Sequence, residues 1–245
     1  MQDIIKRLEK IRARDSNFKF IVLLLFFLIS TNLFAQYYSK QSSIHISAFP
    51  GFSNHSADEI SQHYKLSLNL SSGITGSVSG IEIGLISNYN YEKFLGLQFA
   101  GFANISGVNN KLNPKEKLQE TFRGFQIATI TNKTFGDGTG VQISIFNIVE
   151  SGFTGFQLGF LTNKSRNLVG AQIAGLINST KLGMVGFQIA PLFNYSDGQT
   201  NGLQLGLFNY ARTAGFGHEF SSLFSDSWQI GLINFSKVNN GNQIG

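Results

Sequence analysis

The chain has no cysteine, and that absence removes three readings at once. No disulfide can staple a small core, no thiolate can complete a zinc site, and no lipid can be attached at an N-terminal cysteine after processing. Whatever fold forms is held by burial and backbone pairing. Charge is also scarce, at 13% of residues against 42% apolar. The formal net charge of +5 sits unevenly: residues 1–19 carry six basic and three acidic side chains, which leaves 13 basic and 11 acidic over the rest. So even a balance is no electrostatic footprint for nucleic acid, which is excluded as a partner. The four histidines, His45, His55, His63 and His218, share no close spacing on one strand. A surface or capping role is expected of them, with no metal and no cofactor.

Also missing is an apolar run long enough to cross a membrane as a helix. The longest covers ten residues, 20–29, where about 20 are needed. It follows a basic stretch (Lys6, Arg7, Lys10, Arg12, Arg14, Lys19) and precedes Ser30, Thr31 and Asn32, then Leu33-Phe34-Ala35-Gln36. Basic region, short apolar core and small residue at the cut is the order of a secretory signal. A signal peptide over 1–35 is expected, with the mature chain starting at Gln36. That makes the protein an exported one.

What the chain has in abundance is a repeat. GIEIGLISN begins at Gly80, GLQFAGFAN at Gly96, GFQIATITN at Gly124, GVQISIFN at Gly140 and GFQLGFLTN at Gly155. GAQIAGLIN follows at Gly170, GFQIAPLFN at Gly186, GLQLGLFN at Gly202, SWQIGLIN at Ser227 and a broken GNQIG at Gly241. The recurring glutamines are Gln98, Gln126, Gln142, Gln157, Gln172, Gln188, Gln204 and Gln229. The recurring asparagines are Asn104, Asn132, Asn163, Asn178, Asn194, Asn209 and Asn234. Successive starts are mostly 14 to 16 residues apart, with two longer gaps of 28 and 25. A fixed period of this size is the mark of a stacked repeat architecture.

Within a unit the alternation is that of a strand: Phe125 and Ile127 point one way, Gly124, Gln126 and Ala128 the other. Both faces then turn apolar, as at Leu176 and Ile177 or Leu192 and Phe193, which predicts a bend. The unit ends on Asn and a polar linker, so each repeat reads as strand, corner and turn. Asn is often followed two places on by Ser or Thr, as at Asn104/Ser106 and Asn178/Thr180. The preferred reading of these pairs is a turn, because such side chains bond their own backbone there, rather than glycosylation. The longer gaps, residues 106–121 and 211–226, read as inserted surface loops suited to binding. Ahead of the repeats, residues 43–49 and 65–71 alternate as two strands that could cap the array or pair antiparallel.

These features predict an all-β chain in three parts: the signal peptide, an N-terminal strand pair over 36–79, and a repeat domain over 80–245. One strand per ~16 residues favours a parallel β-solenoid, in which equivalent residues stack. The alternative is an antiparallel outer-membrane β-barrel with its Phe/Ile/Leu face toward lipid. The recurring Gly-x-Gln-apolar-Gly/Ala frame, with KLSLNLSSGITGSVSGIEIGLISN over 65–88 and GLQFAGFANISG over 96–107, resembles the bacterial surface-repeat proteins of two-membraned envelopes. The resemblance spans about residues 40–245. It implies a surface or outer-membrane protein, and it brings no catalytic residues.

Sites of chemistry are thin. Gly76-Ser77-Val78-Ser79-Gly80 has Val78 where a nucleophile elbow needs Ser, and reads as a turn. Asp137 and Asp197 stand in Gly/Ser-rich loops without the per-coil Asp of a calcium-binding roll. Glu82 is the one acid at a repeat position, where other units have Gln, and reads as an edge position that tolerates charge. No catalysis is expected. The expected partners are a surface ligand or envelope component, and the membrane in the barrel alternative. Because the final unit stops after five residues, self-association through an open C-terminal repeat is a further expectation.

Overall fold

Alternation makes strands of these segments, and the fixed period lays each strand on its equivalent in the unit before. The computed structural model describes residues 41–54, 59–108, 120–214, 227–239 and 241–245. The expected signal peptide, the cut at Gln36, most of both inserted loops, His55 and His218 lie outside the described residues. The strands are β1 (Gln41–Phe49), β2 (Phe52–Ser53), β3 (His63–Asn69), β4 (Ser72–Gly84), β5 (Ser87–Ala100), β6 (Ala103–Ser106), β7 (Glu120–Ala128) and β8 (Thr131–Thr134). They continue as β9 (Asp137–Val149), β10 (Gly152–Ala174), β11 (Ile177–Ile189), β12 (Phe193–Leu205), β13 (Phe208–Ala214), β14 (Ser227–Ile230), β15 (Ile233–Asn239) and β16 (Asn242–Ile244).

Among the described residues every strand pairing is parallel except β1 with β2. The result is a parallel β-solenoid of about ten turns, not a barrel. Registry is strict: Gly170, Gln172 and Asn163 lie beside Gly186, Gln188 and Asn178. A barrel would alternate strand direction and could not bring like residues together in this way. The two strands expected at residues 43–49 and 65–71 do not pair antiparallel. β1 lies parallel to β3, His45 beside Ser67, and β3 parallel to β4, Ser67 beside Glu82.

Each coil has three short sides, seen in residues 170–185. Residues 170–174 form the first, with Gln172 and Ala174 inward; a bend at 175–176 leads to the second, 177–180, with Asn178 and Thr180 inward. A second bend leads to the third, 183–185, with Met184 inward. The expected break in alternation is this first corner. The segment 76–80, read from the sequence as a turn, is instead part of β4, with Val78 wholly buried.

The orientation of the strands puts their apolar face outside. Phe125, Ile127 and their equivalents point outward, while the glutamines and asparagines point into the coil at essentially no exposure. Only the third side delivers an apolar column: Tyr64, Val78, Phe94, Phe122, Phe153, Leu168 and Met184. Gly138 sits in that column between two rings, where an added Cβ would stand 3.2 Å from Phe122 and 3.1 Å from Phe153. The flanking phenylalanines fill the space that the missing side chain leaves.

The repeat glycine is where the third side turns into the first. At Gly186 φ is +127°, a region L-residues avoid, and an added Cβ would lie 2.0 Å from the Gly170 carbonyl oxygen. The same approach recurs down the column, so the glycines permit the coils to close on one another. Gly186→Val is expected to lower unfolding stability by about 1–3 kcal/mol from the backbone conformation alone. Urea denaturation checks this, and an unchanged midpoint would mean the glycine is incidental.

Candidate functional site

Glutamine at the third place of each first side puts one primary amide per coil at the same point of the interior. Strands of adjacent coils are ~4.8 Å apart, a separation that an amide-to-amide hydrogen bond spans. Each Gln Nε2 donates to the Oε1 of the preceding coil: Gln126 to Gln98 and Gln142 to Gln126 at 2.7 Å, Gln172 to Gln157 at 2.6 Å, Gln204 to Gln188 at 2.9 Å. The column runs on through Gln229 to Gln243. In several coils the second N–H is accepted by a hydroxyl on the second side, as with Gln126 to Ser106 at 2.9 Å and Gln142 to Thr134 at 3.1 Å. Ser106 and Thr134, each two places after an Asn, have this role, whereas the buried hydroxyls of Thr180 and Ser196 at the same place take no partner.

The asparagines form a second column of opposite sense. Asn132 Nδ2 donates forward to Asn147 at 3.0 Å, Asn147 to Asn163 at 2.8 Å, and so on from Asn88 to Asn234. The other N–H reaches the backbone carbonyl at the end of the next first side, as Asn163 does to Ile173 at 2.7 Å. Each asparagine thus caps a carbonyl at a corner. These residues lie within strands and not in turns, and at essentially no exposure a folded-state glycan is excluded for Asn104, Asn132, Asn163, Asn178 and Asn194. The turn reading failed because tertiary stacking gives the amide a better partner than its own backbone. Space for the column comes from small residues: a Cβ at Gly159 would lie 2.6 Å from Asn163 Oδ1.

At the first coils the columns change composition together. Glu82 takes a glutamine's place and is wholly buried, not at an edge, because β3 and β5 pair β4 on both sides. The direction of the ladder explains it: Gln98 Nε2 donates toward this rung at 2.7 Å, and a carboxylate is a pure acceptor. Asn90, standing where later coils have Ser or Thr, donates to the same Oε2 at 2.8 Å and accepts from Gln98 at 2.7 Å. Below lie Ser67 and then His45, whose Nδ1 is 3.1 Å from the Ser67 hydroxyl. On the Asn column, Asn69 and Gly73 have exchanged places. Asn69 reaches in from the first side to donate to Asn88 at 2.8 Å, filling space that a Cβ at Gly73 would occupy. Extending the repeat frame upstream of residue 80 would have found Ser67 and His45.

Burial is the largest influence on the Glu82 carboxyl and raises it above its ordinary 4.5, opposed by the hydrogen bonds from Asn90, Gln98, Ser67 and Asn69. His45, Ser67 and Glu82 all lie at zero exposure, closed to solvent inside the coil. His63 is half-buried with Nε2 2.5 Å from Ser79 Oγ, and desolvation followed by Lys93 lowers its pKa. Asp137 accepts from the Gly152 N–H at 2.8 Å, and Asp197 pairs with Arg212 at 2.7 Å, so each holds neighbouring coils together. Among the described residues no group of three His, Cys, Asp or Glu is placed to hold a metal.

Two outward columns cover the first side. One runs Ile44, Leu66, Ile81, Leu97, Phe125, Val141, Phe156, Ala171, Phe187, Leu203, Trp228, Asn242. The other runs Ile46, Leu68, Ile83, Phe99, Ile127, Ile143, Leu158, Ile173, Ile189, Leu205, Ile230, Ile244. Neither column carries a charge over its twelve rungs; Lys65, at the glycine place of the second rung, is the exposed charge beside them. Phe125 is 38% exposed and Phe187 40%, values of side chains shielded by their rung neighbours and open only at the tip. On the second side Tyr195, Tyr210 and Phe235 stack with centroids 4.8 and 5.5 Å apart. Comparison with protein-family models, curated proteins and solved structures finds no match to the chain.

A raised carboxyl pKa means the folded state keeps its proton to a higher pH than the unfolded chain does. The contribution is full below 4.5 and lost as pH rises through the folded value. Relative to Glu82→Gln, the wild-type protein is therefore expected to lose melting temperature as pH is raised from 4 to 8. Parallel curves for the two proteins would show that Glu82 does not titrate in the folded state above its ordinary range.

Proposed function

We propose that the chain is an exported cell-surface or outer-membrane repeat protein, a structural scaffold that binds through its outer faces and performs no catalysis. The observation that carries the reading is the apolar face of the first side. Monomeric soluble proteins rarely expose contiguous apolar patches beyond a few hundred Å², and larger ones mark interaction sites. Here the repeated polar groups are consumed inside the coil, in ladders that fix the shape, while what recurs outside is Phe, Ile and Leu on a rigid lattice. Envelope placement is supported by the basic stretch, the ten-residue apolar core and Ala35 before Gln36. The absence of cysteine suits a chain whose stability rests on hydrogen-bonded columns instead of disulfides.

The test is expression with the native leader in a two-membraned bacterium, followed by fractionation and mass measurement of the N-terminus. A chain beginning at Gln36 in the envelope or on the cell surface is expected. Intact Met1 on a cytosolic protein would overturn the proposal.

A further inference from the structure

We infer that the first-side face pairs with the same face of a second copy, in a two-fold dimer with the solenoid axes antiparallel. The claim concerns what covers the face and does not depend on where the protein resides.

Size is the first argument. Twelve rungs at ~4.8 Å make a strip about 55 Å long, and two outward columns with their side chains make it about 13 Å wide. The strip is about 700 Å² on each copy, or about 1,400 Å² in total, within the range of a stable specific interface. Two parallel sheets of identical rung spacing keep the same rung-to-rung match along the strip.

Complementarity is the second argument, and it fixes the geometry. A closed two-fold contact must be self-complementary. The Phe125 column is smooth except at Ala171, the smallest residue among its larger apolar neighbours. Place the two-fold axis in the interface, along the strand direction, between the rungs of Val141 and Phe156. Val141 then faces Phe156 of the second copy, Phe125 faces Ala171, and Leu97 faces Phe187. The dent at Ala171 receives the ring of Phe125, and each phenylalanine of the central rungs meets a smaller partner. Neither outward column contributes a charged side chain to the contact, and Lys65, at the corner of the second rung, lies at its margin.

The protein's lack of cysteine makes the test clean, because Phe125→Cys and Ala171→Cys each carry a single thiol. Sedimentation of the purified protein is expected to show a concentration-dependent dimer. Residues 125 and 171 lie three rungs apart within a chain, about 14 Å, so a short bismaleimide should link the mixed variants and not either one alone. Phe187 points outward, so Phe187→Glu should leave the strand signal, and the melting curve at dilutions where both proteins are monomers, unchanged while weakening dimerisation about thirtyfold or more, as for a hot-spot residue. A monomer at high micromolar concentration would overturn the inference, as would cross-linking equal in mixed and single variants. Monomers that float with phospholipid vesicles would also overturn it, by placing lipid on the face.

Discussion

The distance between neighbouring strands of a β-sheet is also the distance over which one side-chain amide reaches the next, and this fold is arranged around that equality. Once parallel coils are in register, Gln over Gln and Asn over Asn complete each other's bonding, and a polar interior becomes stable. A buried amide without partners costs about 1–3 kcal/mol, while a satisfied one contributes about 1 kcal/mol. A column is therefore cooperative: each member depends on the coil before and the coil after. The other sequence rules follow from it. Glycine at the turn from third to first side lets backbones approach, small residues two places past glutamine leave room for Asn, and in several coils Ser or Thr two places past Asn takes up the spare glutamine N–H.

An interior given over to amides leaves the apolar residues of the strand only one direction. Phe125 and Ile127 turn outward because Gln126 turns inward, and alternation permits nothing else. The same lattice that stabilises the inside thus prints regular rows of Phe, Ile and Leu on the outside, and the function we propose rests on those rows. The polar head His45–Ser67–Glu82 belongs to the inside: Glu82 accepts from Gln98 of the coil after it and from Ser67 of the coil before it.

Much of this was legible in the residues. The period, the strand character of Gly-x-Gln-apolar, the corner after the fifth place and the solenoid itself follow from spacing and alternation. Alternation gives two faces without saying which is buried, so the inward turn of the amides and the outward turn of Phe125 and Ile127 come from the structure. The asparagines were read as turn residues for a related reason: a local side-chain bond can be imagined from sequence, whereas the bond from Asn163 to Asn178 exists only between coils. Glu82 was read as an edge because the frame was not carried upstream to His45 and Ser67. The register of β1 and β3 makes that continuity plain.

The claim on which the rest stands is that the amides are mutually bonded and closed to water. Side-chain amide hydrogen exchange, followed by NMR on the folded protein, measures this directly at Gln126, Gln142, Gln157, Gln172, Gln188 and Gln204. The account requires these NH2 groups to exchange orders of magnitude more slowly than those of free glutamine, with rates limited by opening of the coils. Exchange at the rate of free glutamine, in protein whose backbone amides remain protected, would contradict it.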